Sequence, residues 1–262
     1  MNTGVKTGNS RILLIACITY LLWVGATYLL EGRILTLLRP EAVMDRIVYT
    51  IAANIIIGSI LALWVIRKAI DAGTITLESS GFRPGKRAVI AVAIAIILGS
   101  VVMLISRPAS LDPVVLLNVS AQVFPVTIAE IAVCWAVIGS VLEGVLKPRG
   151  GWLATIAAII VASLLFGVYH LGHSPPFNQP GMIGFLTLVG LVTGLVYFLF
   201  RDIYATMFFH NFFGSIGVMQ SLADAGTLPQ YTTPLYPVLG LAAFSLLVFI
   251  AVEGFFVRRG AI

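Results

Sequence analysis

Eight stretches of this 262-residue chain are apolar over close to the length that crosses a bilayer. A spanning helix needs about 20 predominantly apolar residues at about 1.5 Å per residue. The stretches run at about 12–30, 47–66, 88–106, 114–146, 152–171, 181–200, 203–222 and 235–257. Short polar connectors separate them, and only 10% of the residues are charged, against about 25% in ordinary soluble domains. Mean hydropathy is +1.04. This composition excludes a soluble enzyme, a disordered chain and a nucleic-acid-binding module. Lipid offers no hydrogen bonds to an exposed backbone, so apolar runs of this length fold as helices that satisfy their polar groups internally. The chain is therefore expected to be all-α, a polytopic membrane helix bundle of about eight transmembrane helices.

The net charge of +5 is unevenly placed. With eight spans, the side holding the termini carries Lys6, Arg11, Arg67, Lys68, Arg83, Lys86, Arg87, Lys147, Arg149, Arg201, Arg258 and Arg259, twelve of the 16 basic residues. Arg33, Arg39, Arg46 and Arg107 fall on the other side. The positive-inside rule then sets both termini in the cytoplasm of a cell-membrane protein. Membrane lipid is the expected surrounding, and the basic residues require no nucleic acid. The first run continues from Arg11 to Leu30 without a clear small-residue cleavage site, so it reads as a retained anchor rather than a signal peptide. The fourth run is too long for a simple span and contains Pro125. A kink is expected there, or a short interfacial piece followed by a helix from about residue 126. Cys17 and Cys134 lie inside apolar runs and define no disulfide framework. Three parts follow: 1–110, the first three helices with a polar cytoplasmic loop; 111–222, a four-helix core; and 223–262, the last helix.

Ionisable groups at a helix centre cost roughly 2.5–3.5 kcal/mol on insertion scales, so they are the informative residues. Glu130 sits in TIAEIAVCWAV, where Thr127, Glu130 and Cys134 share one helix face. Glu143 and Glu253 lie near span ends, within snorkelling reach of an interface. Of three histidines, His170 ends the fifth run, His173 follows outside it, and His210 lies in the seventh. A single histidine on an apolar face is commonly a satisfied core residue, and a lone intramembrane Glu can be a structural hydrogen-bonder. Two histidines on separate helices with a carboxylate on a third favour chemistry. Imidazole and carboxylate are zinc ligands, and a catalytic zinc lowers the pKa of its water. Without metal, Glu can act as general base while His stabilises an oxyanion. Gly190 and Gly194 form a small-xxx-small pattern that brings helices close.

FGVYH at 166–170, followed by a Gly-rich helix, a short RD turn and HNFFG at 210–214, resembles a known family. It is similar to the CAAX-protease and bacteriocin-processing family of intramembrane proteases, also called abortive-infection domain proteins. That family shows Glu-Glu-x-x-x-Arg, Phe-x-x-x-His and His-x-x-x-Asn on successive membrane helices. Phe166 and His170 match the second motif, and His210 opens the third. Ala129-Glu130 aligns with the acidic pair, with Cys134 at the Arg position and Gly214 at the Asn position. An alternative alignment uses Glu143 with Arg149. The resemblance covers about residues 115–220.

It implies an intramembrane endopeptidase with Glu130, His170 and His210 at its site, a divalent metal such as zinc on His170 and His210, and a peptide or lipidated protein as substrate. The departures from the motifs leave a second expectation, a catalytically degenerate relative acting as a membrane scaffold or immunity protein. A bis-histidine haem protein and a proton-relaying transporter are further possibilities, the latter without an inverted repeat to support it. One geometric difficulty stands. His170 comes about 18 residues into its helix and His210 about 7 into its own, a depth difference of about 16 Å at about 1.5 Å per residue. Tilt, a broken helix or an intramembrane turn at 201–203 is needed to bring the two together.

Overall fold

The computed structural model describes residues 3–259, with side chains over 9–148 and 150–259. The side chains of Lys6 and Arg149 fall outside the described set. Eight long helices carry the fold: α1 (Asn9–Gly32), α2 (Val43–Asp71), α3 (Gly85–Ser106), α4 (Pro113–Leu146), α5 (Gly151–Gly172), α6 (Pro180–Phe200), α7 (Ile203–Asp224) and α8 (Tyr236–Arg258). No strand occurs among the described residues. Seven of the eight are long and apolar enough to cross a membrane. The remaining helix, α7, has the length, at 22 residues. Its polar side chains, among them His210, Asn211, Ser215 and Gln220, hold its hydropathy down. Large apolar side chains face outward, including Leu21, Ile105, Leu199 and Leu247. That is the reverse of a water-soluble surface and fits a lipid surrounding. The protein is an all-α integral membrane bundle.

α4 is the axis of the bundle. Of its most apolar stretch 89% is buried inside the protein, against 17% for α3. A helix enclosed by other helices can carry polar side chains if the fold satisfies them, and α4 does. Asn118 donates to Tyr231 O (2.8 Å) and Thr233 O (2.7 Å) and accepts from Leu235 N (2.9 Å). Gln122 donates to Leu37 O (2.8 Å) and accepts from the Tyr231 hydroxyl (2.5 Å). These bonds tie the connectors after α1 and α7 over one end of α4. Asp112 caps its start through Val114 N (2.8 Å) and Val115 N (3.1 Å), ahead of Pro113.

Pro125 does not divide α4 into an interfacial piece and a helix from residue 126. The α-helix runs unbroken from Pro113 to Glu130, and the bonding pattern widens to π-helical over Ile131–Gly139. A break in a helix this deeply buried would strand backbone polar groups.

α5 and α6 pack antiparallel at very close range. A Cβ on Gly190 would lie 3.0 Å from Phe166 and 3.1 Å from the Ser163 backbone, so the small-xxx-small stripe does bring these helices together. The turn at 201–202 is fixed from several sides. Ile203 N donates to Gly81 O (2.9 Å), and Asp202 caps α7 through Ala205 N (2.8 Å). Asp202 and Ile203 are both fully buried, so α7 begins inside the protein rather than at its surface.

Candidate active site

Three helices deliver the residues named from the sequence to one place. Glu130 comes from α4, just before the π-helical segment. His170 comes from the 3-10 turn that closes α5, and His210 from the third turn of α7. His210 Nε2 lies 3.2 Å from Glu130 Oε2, and His170 Nε2 lies 3.8 Å from Glu130 Oε1. All three side chains are buried.

The depth difference closes in two ways. Helical side chains lean toward the N-terminus. The His170 ring turns back over its own last turn, with Nδ1 donating to Phe166 O at 2.8 Å. α7 starts from the 201–202 turn, which is buried against the 72–84 connector. Phe166 then fills the gap, edge-on to both imidazoles, with ring centroids 4.7 Å from His170 and 5.1 Å from His210.

Hydrogen bonds settle how each ring is presented. A carbonyl only accepts, so His170 carries its proton on Nδ1 and shows a lone pair at Nε2. Thr193 donates its hydroxyl hydrogen to Val189 O (3.0 Å), leaving its oxygen to accept from His210 Nδ1 at 2.7 Å. His210 Nε2 is in turn hydrogen-bonded to Glu130 Oε2 at 3.2 Å, which requires a proton between the two atoms. His170 alone presents a lone pair to the carboxylate, at 3.8 Å. The arrangement calls for a shared proton or a cation between these groups.

Sequence reasoning missed two participants, Glu31 and His173. His173 Nδ1 donates to Glu31 Oε2 at 2.8 Å, and Ser174 N donates to the same oxygen at 2.9 Å. The Ser174 hydroxyl donates to Glu31 Oε1. Glu130, His170 and His173 each place one ligand atom within 4.8 Å of the others, a buried group that could hold a metal ion. His170 and His173 are three residues apart, a spacing that faces two side chains together on a helical turn. That spacing was the available clue.

Glu143 lies elsewhere. Its carboxylate takes both guanidinium nitrogens of Arg201, at 2.5 and 2.7 Å, and the Thr155 hydroxyl at 2.5 Å. It clamps the end of α4 to the α6–α7 turn and to α5. Glu253 likewise pairs with Tyr204 (2.6 Å) and Arg258 (2.5 Å). Neither approaches the histidines. Asn211 accepts from Thr127 (3.3 Å) and donates to Ser120 O (3.3 Å). A Cβ on Gly214 would come within 2.5 Å of Val123 Cγ1. Cys134 is fully buried in the core.

A cavity of about 550 Å³ opens onto the acid and the histidines. Glu130, His170, His173 and His210 line it together with Phe166, Val126, Phe185, Leu186, Val189 and Phe213, while Arg107, Gln220 and Asp224 lie at its outer end. Apolar walls with a few convergent polar groups at the floor are the usual form of a ligand site.

A family model described as type II CAAX prenyl endopeptidase Rce1-like matches residues 139–216. That segment is similar to the Rce1-like CAAX endopeptidases. It runs from the end of α4 through α5 and α6 into α7, and it supports the resemblance to the CAAX-protease and bacteriocin-processing family. The Rce1-like segment contains Glu143, His170, His173 and His210, while Glu130 and Glu31 lie outside it. No curated protein and no solved structure matches the chain.

Proposed function

We propose that the protein is an intramembrane endopeptidase of the CAAX-protease type, with Glu130, His170 and His210 at its centre. One observation carries this reading: a buried carboxylate held between two imidazoles at the floor of an apolar cavity. A peptide, or the hydrophobic end of a lipidated protein, fits walls formed by Val126, Phe185, Leu186 and Phe213. Glu130 takes a proton from the attacking water as its oxygen adds to the scissile carbonyl, then delivers that proton to the leaving amine. The new carboxylate and the free amine complete the balance. His210, sharing a proton with Glu130 at Nε2, donates to the developing oxyanion. Thr193 and the Phe166 carbonyl hold the two rings in place, and Phe166 keeps water from between them.

A divalent metal such as zinc, expected from the sequence on His170 and His210, would be held beside Glu130 and His170, which share one buried group of ligand atoms; His210 is not in that group. Such an ion supplies Lewis-acid polarisation and a water of lowered pKa. Connector residues Leu37, Arg107, Pro108, Pro176 and Phe177 line the cavity, all in connectors that the alternation of eight helices puts on the face opposite the termini. With both termini in the cytoplasm of a cell membrane, substrate enters from the extracytoplasmic side.

A second reading has its own support. The position of the family's Asn is a glycine packed on Val123, and Asn211 points to Ser120 and Thr127. This favours a degenerate relative acting as a scaffold or immunity protein. Peptide cleavage by the purified protein, compared with His170→Ala, decides between them. Loss of cleavage in the variant supports the hydrolase, and equal cleavage or none in either protein removes it.

A further inference from the structure

We propose that His173, oriented by the Glu31 carboxylate of α1, is a ligand of a zinc-type divalent-cation site whose other protein donors are Glu130 and His170. The inference rests on the hydrolase reading and deepens it by naming a cation beside the buried carboxylate, and its metal-binding claim stands or falls separately from cleavage.

Four observations support it. First, one ligand atom from each of Glu130, His170 and His173 falls within 4.8 Å of the others. The two rings stand 5.1 Å apart by centroid, with an interplanar angle of 31°. Second, Glu31 occupies His173 Nδ1, so the free ligand atom is Nε2, and this atom is buried without a hydrogen-bond partner. An imidazolium would leave an unsatisfied N–H there. A neutral ring leaves a lone pair suited to a cation. Third, Glu31 is fully buried, and its oxygens serve His173 and Ser174. Burying a carboxylate is costly. A carboxylate behind a histidine, fixing its tautomer and raising its basicity, is the usual support of a metal-bound imidazole. His170 has the same arrangement with the Phe166 carbonyl behind it. Fourth, the backbone is shaped to allow the contact. A Cβ on Gly32 would lie 2.2 Å from Gly172 O, so only glycine lets the end of α1 press against the 170–172 turn.

Two imidazoles and one carboxylate leave a fourth position open, the ligand set of catalytic zinc sites. Nitrogen donors in this number select zinc-like ions over magnesium or calcium. His210 is not a donor in this set and engages the other oxygen of Glu130. Glu31 lies on α1, outside the Rce1-like segment, so the first helix contributes to the site.

The test uses the full-length protein in detergent, stripped of metal and titrated with Zn²⁺ and Co²⁺. Wild type is expected to bind one equivalent and give visible cobalt ligand-field bands. Glu31→Gln is expected to weaken binding about 10–100-fold, and His173→Ala by at least as much. His173→Cys guards against a folding defect, because it gives a near-ultraviolet cobalt–thiolate band only if residue 173 is a ligand. No metal bound by wild type, wild-type affinity in His173→Ala, or a metal-loaded His173→Cys without the thiolate band each overturns the proposal. Peptide cleavage is measured alongside. Metal binding without cleavage refutes the hydrolase and leaves the site, whereas cleavage by protein that binds no metal does the opposite.

Discussion

Separate substitution of Glu143 and Glu130 distinguishes the acid that holds the fold from the acid that faces the histidines. Glu143 accepts two bonds from Arg201 and one from Thr155, between 2.5 and 2.7 Å. Removing one partner of a fully buried ion pair costs about 3–5 kcal/mol. Here the side chains retain 19% (Arg201) and 10% (Glu143) exposure. Arg201 also keeps its bond to Ser79 O. Solvent screening therefore lowers the expected loss for Glu143→Ala to about 2–3 kcal/mol. At about 2–4 °C per kcal/mol for a chain of this size, the melting temperature falls by about 4–12 °C. Cleavage measured well below that melting point stays near the wild-type rate. Glu130→Gln has nearly the same shape and keeps a hydrogen-bonding group beside His210. Its melting point is expected to move little while cleavage falls about 10²–10⁴-fold, the usual contribution of a general base. Thermal melting in detergent by tryptophan fluorescence and a peptide-cleavage assay read both effects. If folded Glu143→Ala loses cleavage while Glu130→Gln keeps it, the acid has been misassigned and the site geometry does not carry the chemistry.

Asp202 provides a pH test. Burial raises its carboxyl above the ordinary 3.8, and Oδ2 has no partner while Oδ1 caps α7. The folded state therefore holds this proton more tightly than the unfolded chain. The stability it contributes is present below about pH 3.8 and is lost as pH rises through the folded value. Asp202→Asn is expected to melt higher than wild type near pH 8, by a margin that shrinks on acidification; a wild-type advantage near pH 8 contradicts this. Orientation is checked with Cys17→Ser as background, since Cys134 is buried. A membrane-impermeant maleimide added to intact cells should label Asp224→Cys at the cavity mouth and spare Lys86→Cys. The opposite pattern reverses the entry side.

The helices were legible because the bilayer length and the apolar runs impose the same boundaries, and all eight expected runs appear as helices within a few residues, seven of them long and apolar enough to span. The centrality of α4 was visible too, in hindsight, in Asn118, Gln122, Thr127 and Glu130, polar groups that only a helix shielded from lipid can afford. Glu130, His170 and His210 stood out because each interrupts or ends an apolar run. Glu31 and His173 did not, because a polar residue at the end of a run reads as the boundary itself. Their partnership spans 142 positions and depends on α1 pressing against the α5 turn through Gly32, which no local pattern encodes. The continuity of α4 past Pro125 was equally hidden, since enclosure by the other helices decides it.

Cleavage in ¹⁸O-labelled water addresses the hydrolytic centre most directly. The purified protein in proteoliposomes, given a library of apolar peptides, should yield fragments whose new C-terminal carboxyl carries one heavy oxygen, and Glu130→Gln, folded to the same melting point, should yield none. Heavy-oxygen products formed equally by both proteins, or no products from wild type, would contradict a water-activating role for the carboxylate between His170 and His210.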